Sequence, residues 1–169
     1  MKYNLQLLKE NELECNWKTI YVGRKLGLIS HSLVTNFAID IVKNDENTEN
    51  ELILELTWDL DEEDADKILE ILINQLYNLP MNEGSFEWNM EMRKWRYCIL
   101  MDIIKNMNSK EDVYESIEEI FSKFKYPKDM RHFFTQISDK NFYSMESEDD
   151  IIRNMKEIIY KFLETDKLQ

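Results

Sequence analysis

Residues 59–70 read DLDEEDADKILE, and Asp59, Asp61, Glu62, Glu63, Asp64 and Asp66 fill six of the first eight positions. Carboxylates at this density have three chemical uses. They hold a divalent cation, dock a basic partner, or open a helix. The cation reading has a partial spacing match: Asp59, Asp61 and Glu63 fall at positions 1, 3 and 5 of an EF-hand loop, and Glu70 at position 12. Position 6 of that loop turns sharply and needs Gly, but Asp64 stands there. Asp66 takes the place of the next apolar anchor, and ADKILEIL is patterned as a helix across the loop's second half. No metal is expected here. Two readings stay open. First-turn carboxylates interact favourably with exposed N–H groups and the positive end of the helix dipole, with Asp59 or Asp61 as cap. That explains two or three of the six. The surplus repels itself along the helix and suits a patch for a basic partner. On that second reading all six are the candidate partner-binding residues.

Other reactive groups are sparse. His31 and His132 lack a Cys, His or carboxylate at metal-ligand spacing, and read as capping or core-edge residues. G-x-S-x-G, the phosphate-binding P-loop and G-x-G-x-x-G are absent. GRKLG lies within and at the end of a helix, so it is no phosphate loop. Carboxylate pairs are plentiful, but apolar surroundings single none out. In MRKWRY (92–97), Trp95 is expected inside and Arg93, Lys94 and Arg96 outside, as a minor anion site or as ion-pair partners of the acidic third. No catalytic residue and no cofactor are assigned, and the chain is not read as an enzyme. The rival is an enzyme or small-ligand protein with an interhelical pocket near Trp88 and Trp95, lined by a carboxylate or His132.

The elements that position these groups are helical. The chain has 169 residues, 43% of them hydrophobic, which suffices for a core without disulfides. Only 3 Gly and 2 Pro leave little for the turns of an all-β fold. Residues 3–10 form a short helix or an extended arm. Asn16 caps a helix to Leu26, with Gly27 at its left-handed end and Gly23 marking a close approach. Ser30 caps 31–43, with Leu33, Val34, Phe37 and Ile41 on one face. Thr48 and Glu51 form a capping-box pair opening 49–58, with Leu52, Ile53, Leu56 and Trp58 inward. ELILELTW is the one place where a strand competes. A helix over 61–78 turns Ile68, Leu69, Leu72, Ile73 and Leu76 inward until Pro80 stops it. Residues 80–86 make a loop that could divide an otherwise single domain. Beyond it come 87–107 (Trp88, Met92, Trp95, Ile99, Ile103), a Ser109-capped helix to Phe124, a short helix over 127–136, and 148–164 opened by Ser147. The fold class is all-α: about eight helices packed as antiparallel hairpins.

Net charge is −13, which disfavours binding to nucleic acid or anionic membranes. No apolar run approaches a membrane span, and the N-terminus lacks a signal peptide's pattern. The expected setting is the cytoplasm, with Cys15 and Cys98 reduced; a disulfide between them is the lesser alternative. Residues 1–30 are net +2, and 31–86 hold 14 acidic against 2 basic groups. Residues 87–133 balance, and 134–169 are net −3. The excess therefore lies in the third that holds DLDEEDADKILE.

Two further stretches carry a likeness. W-x-x-I-x-x-G-x-x-x-G-L-I-S, Trp17 to Ser30, precedes an apolar helix containing Phe37-Ala38. FKYPKDMRHFF, residues 124–134, precedes a serine-opened acidic helix. Together these motifs resemble a family of small uncharacterised bacterial proteins, a domain of unknown function. The resemblance implies an all-helical fold, and for some members a role as immunity proteins beside secreted toxins. It transfers no catalytic residue, and residues 44–90 carry none of its motifs. The resulting expectation is an acidic binding protein, neutralising a basic toxin domain, with its oligomeric state left open.

Overall fold

A computed structural model describes residues 2–45, 49–78, 81–106, 109–139 and 147–166. Among them all regular structure is helical. The chain divides into two compact units, Met1–Met92 and Arg93–Gln169. The division falls inside a helix that spans Phe86–Asn106.

In the first unit, α1 (Gln6–Glu10) precedes α2 (Trp17–Lys25). Asn16 opens α2 with a full capping box: its side chain accepts from the N–H groups of Lys18 and Thr19, while Thr19 Oγ1 accepts from the Asn16 N–H. The helix ends as its glycine dictates. Gly27 takes φ 66°, its N–H donates to Arg24 O at 2.9 Å, and the Leu28 N–H donates to Gly23 O at 2.8 Å. That two-bond ending satisfies two orphan carbonyls and turns Leu28 and Ile29 into the core, both fully buried.

Next come α3 (His31–Asn44), α4 (Glu51–Glu55) and α5 (Glu62–Tyr77). Ser30 stands at the N-cap of α3, but its hydroxyl pairs with Ser32 Oγ at 2.8 Å instead of accepting from the helix. Asn50, not the expected Thr48, caps α4; Thr48 lies outside the described residues, as does Pro80. The first five residues of ELILELTW are helical and the last three turn away, so the competing strand does not form. α5 is the hub, packed on α2, α3 and α4. Ile68, Leu69, Leu72 and Ile73 face inward as expected, along with Leu56, the C-cap of α4. Two residues assigned to the core are outside it: Trp58 is 64% and Leu76 40% exposed. α4 ends at Glu55, so the helical register no longer aims Trp58 inward. Leu76 lies in the last turn of α5, just before Asn78 takes a left-handed φ of 52°.

α6 (Phe86–Asn106) begins in the first unit and continues in the second. Ser85 Oγ accepts from the Trp88 N–H at 3.2 Å at its start. Its stripe of Trp88, Met92, Trp95, Ile99 and Ile103 is buried throughout.

The second unit adds α7 (Lys110–Lys123), a 3-10 turn (Lys128–Met130), α8 (Arg131–Ser138) and α9 (Glu148–Thr165), with α7, α8 and α9 packed on one another. Ser109 and Ser147 cap as their positions predict, accepting from the N–H groups of Asp112 and Asp150. Phe133 stacks on Phe162, and Phe121 on Phe134, each at 4.6 Å between ring centroids. Both cysteines are free thiols; burial pushes that of Cys98 up to about 12. No helix among the described residues is long and apolar enough to cross a membrane.

Candidate functional site

The acidic stretch is built around the start of α5. Asp61 is its N-cap and accepts from the Asp64 N–H at 2.9 Å. Glu62, Glu63 and Asp64 form the first turn, where carboxylates offset the exposed N–H groups. Asp59 lies before the cap and is exposed. Of the six candidate residues, one caps, two hold a buried cation and two hold an exposed one.

The buried cation is Arg24 of α2, whose side chain is 7% exposed. Its Nε donates to Asp66 Oδ1 at 2.7 Å and its Nη2 to Asp66 Oδ2 at 3.0 Å. Nη2 also bonds Glu62, and Nη1 reaches Ile29 O at 3.3 Å. Burial alone would lower the Arg24 pKa, but hydrogen bonds to Asp66 and Glu62 carry it above the ordinary arginine value. Reciprocally, the Arg24 hydrogen bond and charge hold the Glu62 carboxyl below its usual range. Lys25 bonds Glu70 at 2.8 Å and lies 5.4 Å from the Tyr21 ring. Sequence reading did not assign Arg24 and Lys25 to this site. The available signal was the net positive charge of residues 1–30 ahead of a strongly acidic third.

The exposed cation is Lys67, with Glu63 at 2.8 Å and Asp64 at 3.3 Å. All three side chains are more than half exposed. Pairs this exposed contribute little to stability.

MRKWRY behaves otherwise than expected. Arg96 points inward and is fully buried. Its Nε and Nη2 grip Asp166 at 2.8 and 2.5 Å, its Nη1 bonds Asp129 at 2.8 Å, and its guanidinium lies 5.2 Å from the Phe162 ring. Arg93 approaches Asp166 at 3.6 Å. The partners of Arg96 and Arg93 thus come from the C-terminal unit, not from the acidic third. A buried guanidinium is tolerable because two carboxylates and a ring face replace its water.

One carboxylate is singled out by burial after all. Glu91, 5% exposed, accepts from Thr19 Oγ1 at 2.7 Å, and Thr19 is itself fully buried.

Trp88 and Trp95 are buried, and neither lines any of four cavities in the described residues. His132, exposed beside buried Phe133, does line one. That cavity, about 760 Å³ within the second unit, is bounded by Arg93, Asp129, His132, Gln136, Lys161 and Phe162, among others. It combines apolar wall with charges of both signs, Asp139 and Asp166 included. His31 is the first residue of α3.

No curated protein and no solved structure matches the chain. Residues 5–167 match a family described as an uncharacterized protein conserved in bacteria. With nearly its whole length covered, and with the helical fold that the Trp17–Ser30 and Tyr-Pro motifs imply, the chain belongs to the bacterial family DUF2247.

Proposed function

We propose that the first unit is a protein-binding module that takes a basic partner, acting in the cytoplasm as an immunity protein acts on a toxin domain. One observation carries this reading. Residues 1–92 hold 19 acidic and 7 basic groups, net −12, whereas residues 93–169 hold 15 and 14, net −1. Charge concentrated on one unit steers a cationic partner and raises its association rate. Among the six candidates, Asp59, Glu63 and Asp64 face the partner, because Asp61 is committed to the cap and Glu62 and Asp66 to Arg24. The test is stopped-flow association with the partner recovered from the source cell, comparing wild type with D59N/E63Q/D64N. Association slows by about tenfold at low salt and its salt dependence flattens. Equal rates and equal salt slopes overturn the reading, as does a partner without a basic surface.

The cavity beside His132 favours a second reading, a small-ligand site in the C-terminal unit. His132 would meet an anionic group, together with Arg93 and Lys161 once these turn from Asp166 and Glu157, and Phe162 an apolar one. Thermal-shift screening with small carboxylates and phosphates tests it. A stabilisation that His132→Ala removes supports the site; a flat response across the panel overturns it.

A further inference from the structure

We infer that the groove between α4 and α5 receives an amphipathic basic helix of the partner. This deepens the binding reading above and rests on it. The groove encloses about 650 Å³, with Leu52 and Ile71 as its apolar lining and Glu49, Glu51 and Glu55 around them. Asn50, the cap of α4, donates from Nδ2 to Gln75 Oε1 of the last turn of α5 at 3.4 Å, so the two helices run antiparallel.

Three features point to the same occupant. Ile71 is 55% exposed within a concave surface, with half-buried Leu52 beside it in the lining. An exposed apolar residue on its own is ordinary, but one set in a concave, acid-rimmed groove suits an apolar anchor. Glu51 and Glu55 are four apart on α4, where like charges repel, and no cation among the described residues pairs with either. Lys67, one turn before Ile71 on α5, is already engaged by Glu63 and Asp64. A visitor with cations flanking an apolar stripe relieves that repulsion and covers Ile71 together. It must be a helix and not a strand, since the described residues offer no sheet edge to extend; helices enter such grooves with anchors at i, i+3 or i+4, and i+7.

The test uses two synthetic peptides of about 18 residues, or five helical turns. Both have one Leu/Lys composition, in one ordered at helical spacing and in the other scrambled. The ordered peptide binds the full chain about tenfold tighter than the scramble, a difference of about 1.4 kcal/mol, and Ile71→Ser erases that difference. Ile71 is exposed, so the variant keeps its fold, which an unchanged melting temperature verifies. Equal binding of both peptides, or an Ile71→Ser chain that still discriminates, overturns the groove while leaving the acidic surface standing. Failure of both peptides to bind overturns both readings.

Discussion

Arg24 and Asp66 form a two-bond fork, 2.7 and 3.0 Å, that ties α2 to α5 across 42 residues of sequence. The fork makes part of the acidic stretch structural. Its guanidinium is buried, while the Asp66 side chain is 37% exposed. Removing either partner therefore has unequal consequences. Asp66→Ala strands a cation away from water with Glu62 as its one remaining carboxylate, and costs about 2 kcal/mol after allowing for that exposure. Arg24→Met leaves a carboxylate that water can reach, and costs less. Urea unfolding of the two variants measures the order; an Asp66→Ala midpoint equal to wild type would sink the assignment.

Acid should loosen the same contact. Arg24 depresses the Glu62 carboxyl in the folded chain. A depressed carboxyl contributes stability above its unfolded value, ordinarily 4.5, and loses it as pH falls through the lower folded value. Asp150, held down by Ser147 and Arg153, and Glu157, held down by Lys161, act in the same direction. The melting temperature is thus level from neutrality to about pH 5 and drops below it. Glu62→Gln starts lower at neutral pH and drops less steeply in acid. A parallel acid limb in the variant would show that Glu62 is not part of it.

Arg96 anchors the C-terminal unit by a similar device, with both partners more deeply placed: its own side chain is fully buried, and that of Asp166 is 8% exposed. Asp166→Ala leaves the buried guanidinium with Asp129 as its one carboxylate and costs about 3 kcal/mol. Arg96→Lys keeps the charge but loses the fork and the planar contact with Phe162, and costs about 2 kcal/mol. A double-mutant cycle on this pair gives a coupling well above that of the exposed Lys67–Glu63 pair. Equal couplings would show that burial adds nothing at Arg96.

Helix identity was legible because local chemistry decides it. Asn16, Asp61, Ser109 and Ser147 each cap where their spacing places them. The buried stripe of α6 follows directly from its four- and three-residue steps. Residues decided by tertiary neighbours were not legible. Arg96 is indistinguishable in sequence from Arg93, and goes inside only because Asp129 and Asp166, 33 and 70 residues away, come to meet it. Trp58 reads as core on hydrophobicity alone, but α4 stops one turn too early to carry it there. The acidic stretch was half legible. Its cap can be read from order along the chain, whereas the grip of Arg24 on Glu62 and Asp66 depends on how α2 packs against α5.

With Asp61 committed to the cap, the other five acidic residues separate by experiment into two groups. Neutralising Asp59, Glu63 and Asp64 removes one unpaired charge and two members of exposed pairs, and relieves repulsion along the first turn. Isosteric D59N/E63Q/D64N keeps the melting temperature within about 2 °C of wild type. E62Q/D66N removes both negative charges facing buried Arg24, and lowers it by about 5 °C or more. Differential scanning calorimetry at neutral pH reads both. The contrast matters for any binding assay. A charge-reversal set that includes Glu62 or Asp66 weakens the fold and the surface together, so only the Asp59, Glu63 and Asp64 variant reports on the surface alone. Equal melting temperatures for the two variants would remove the distinction and return all six residues to one undivided patch.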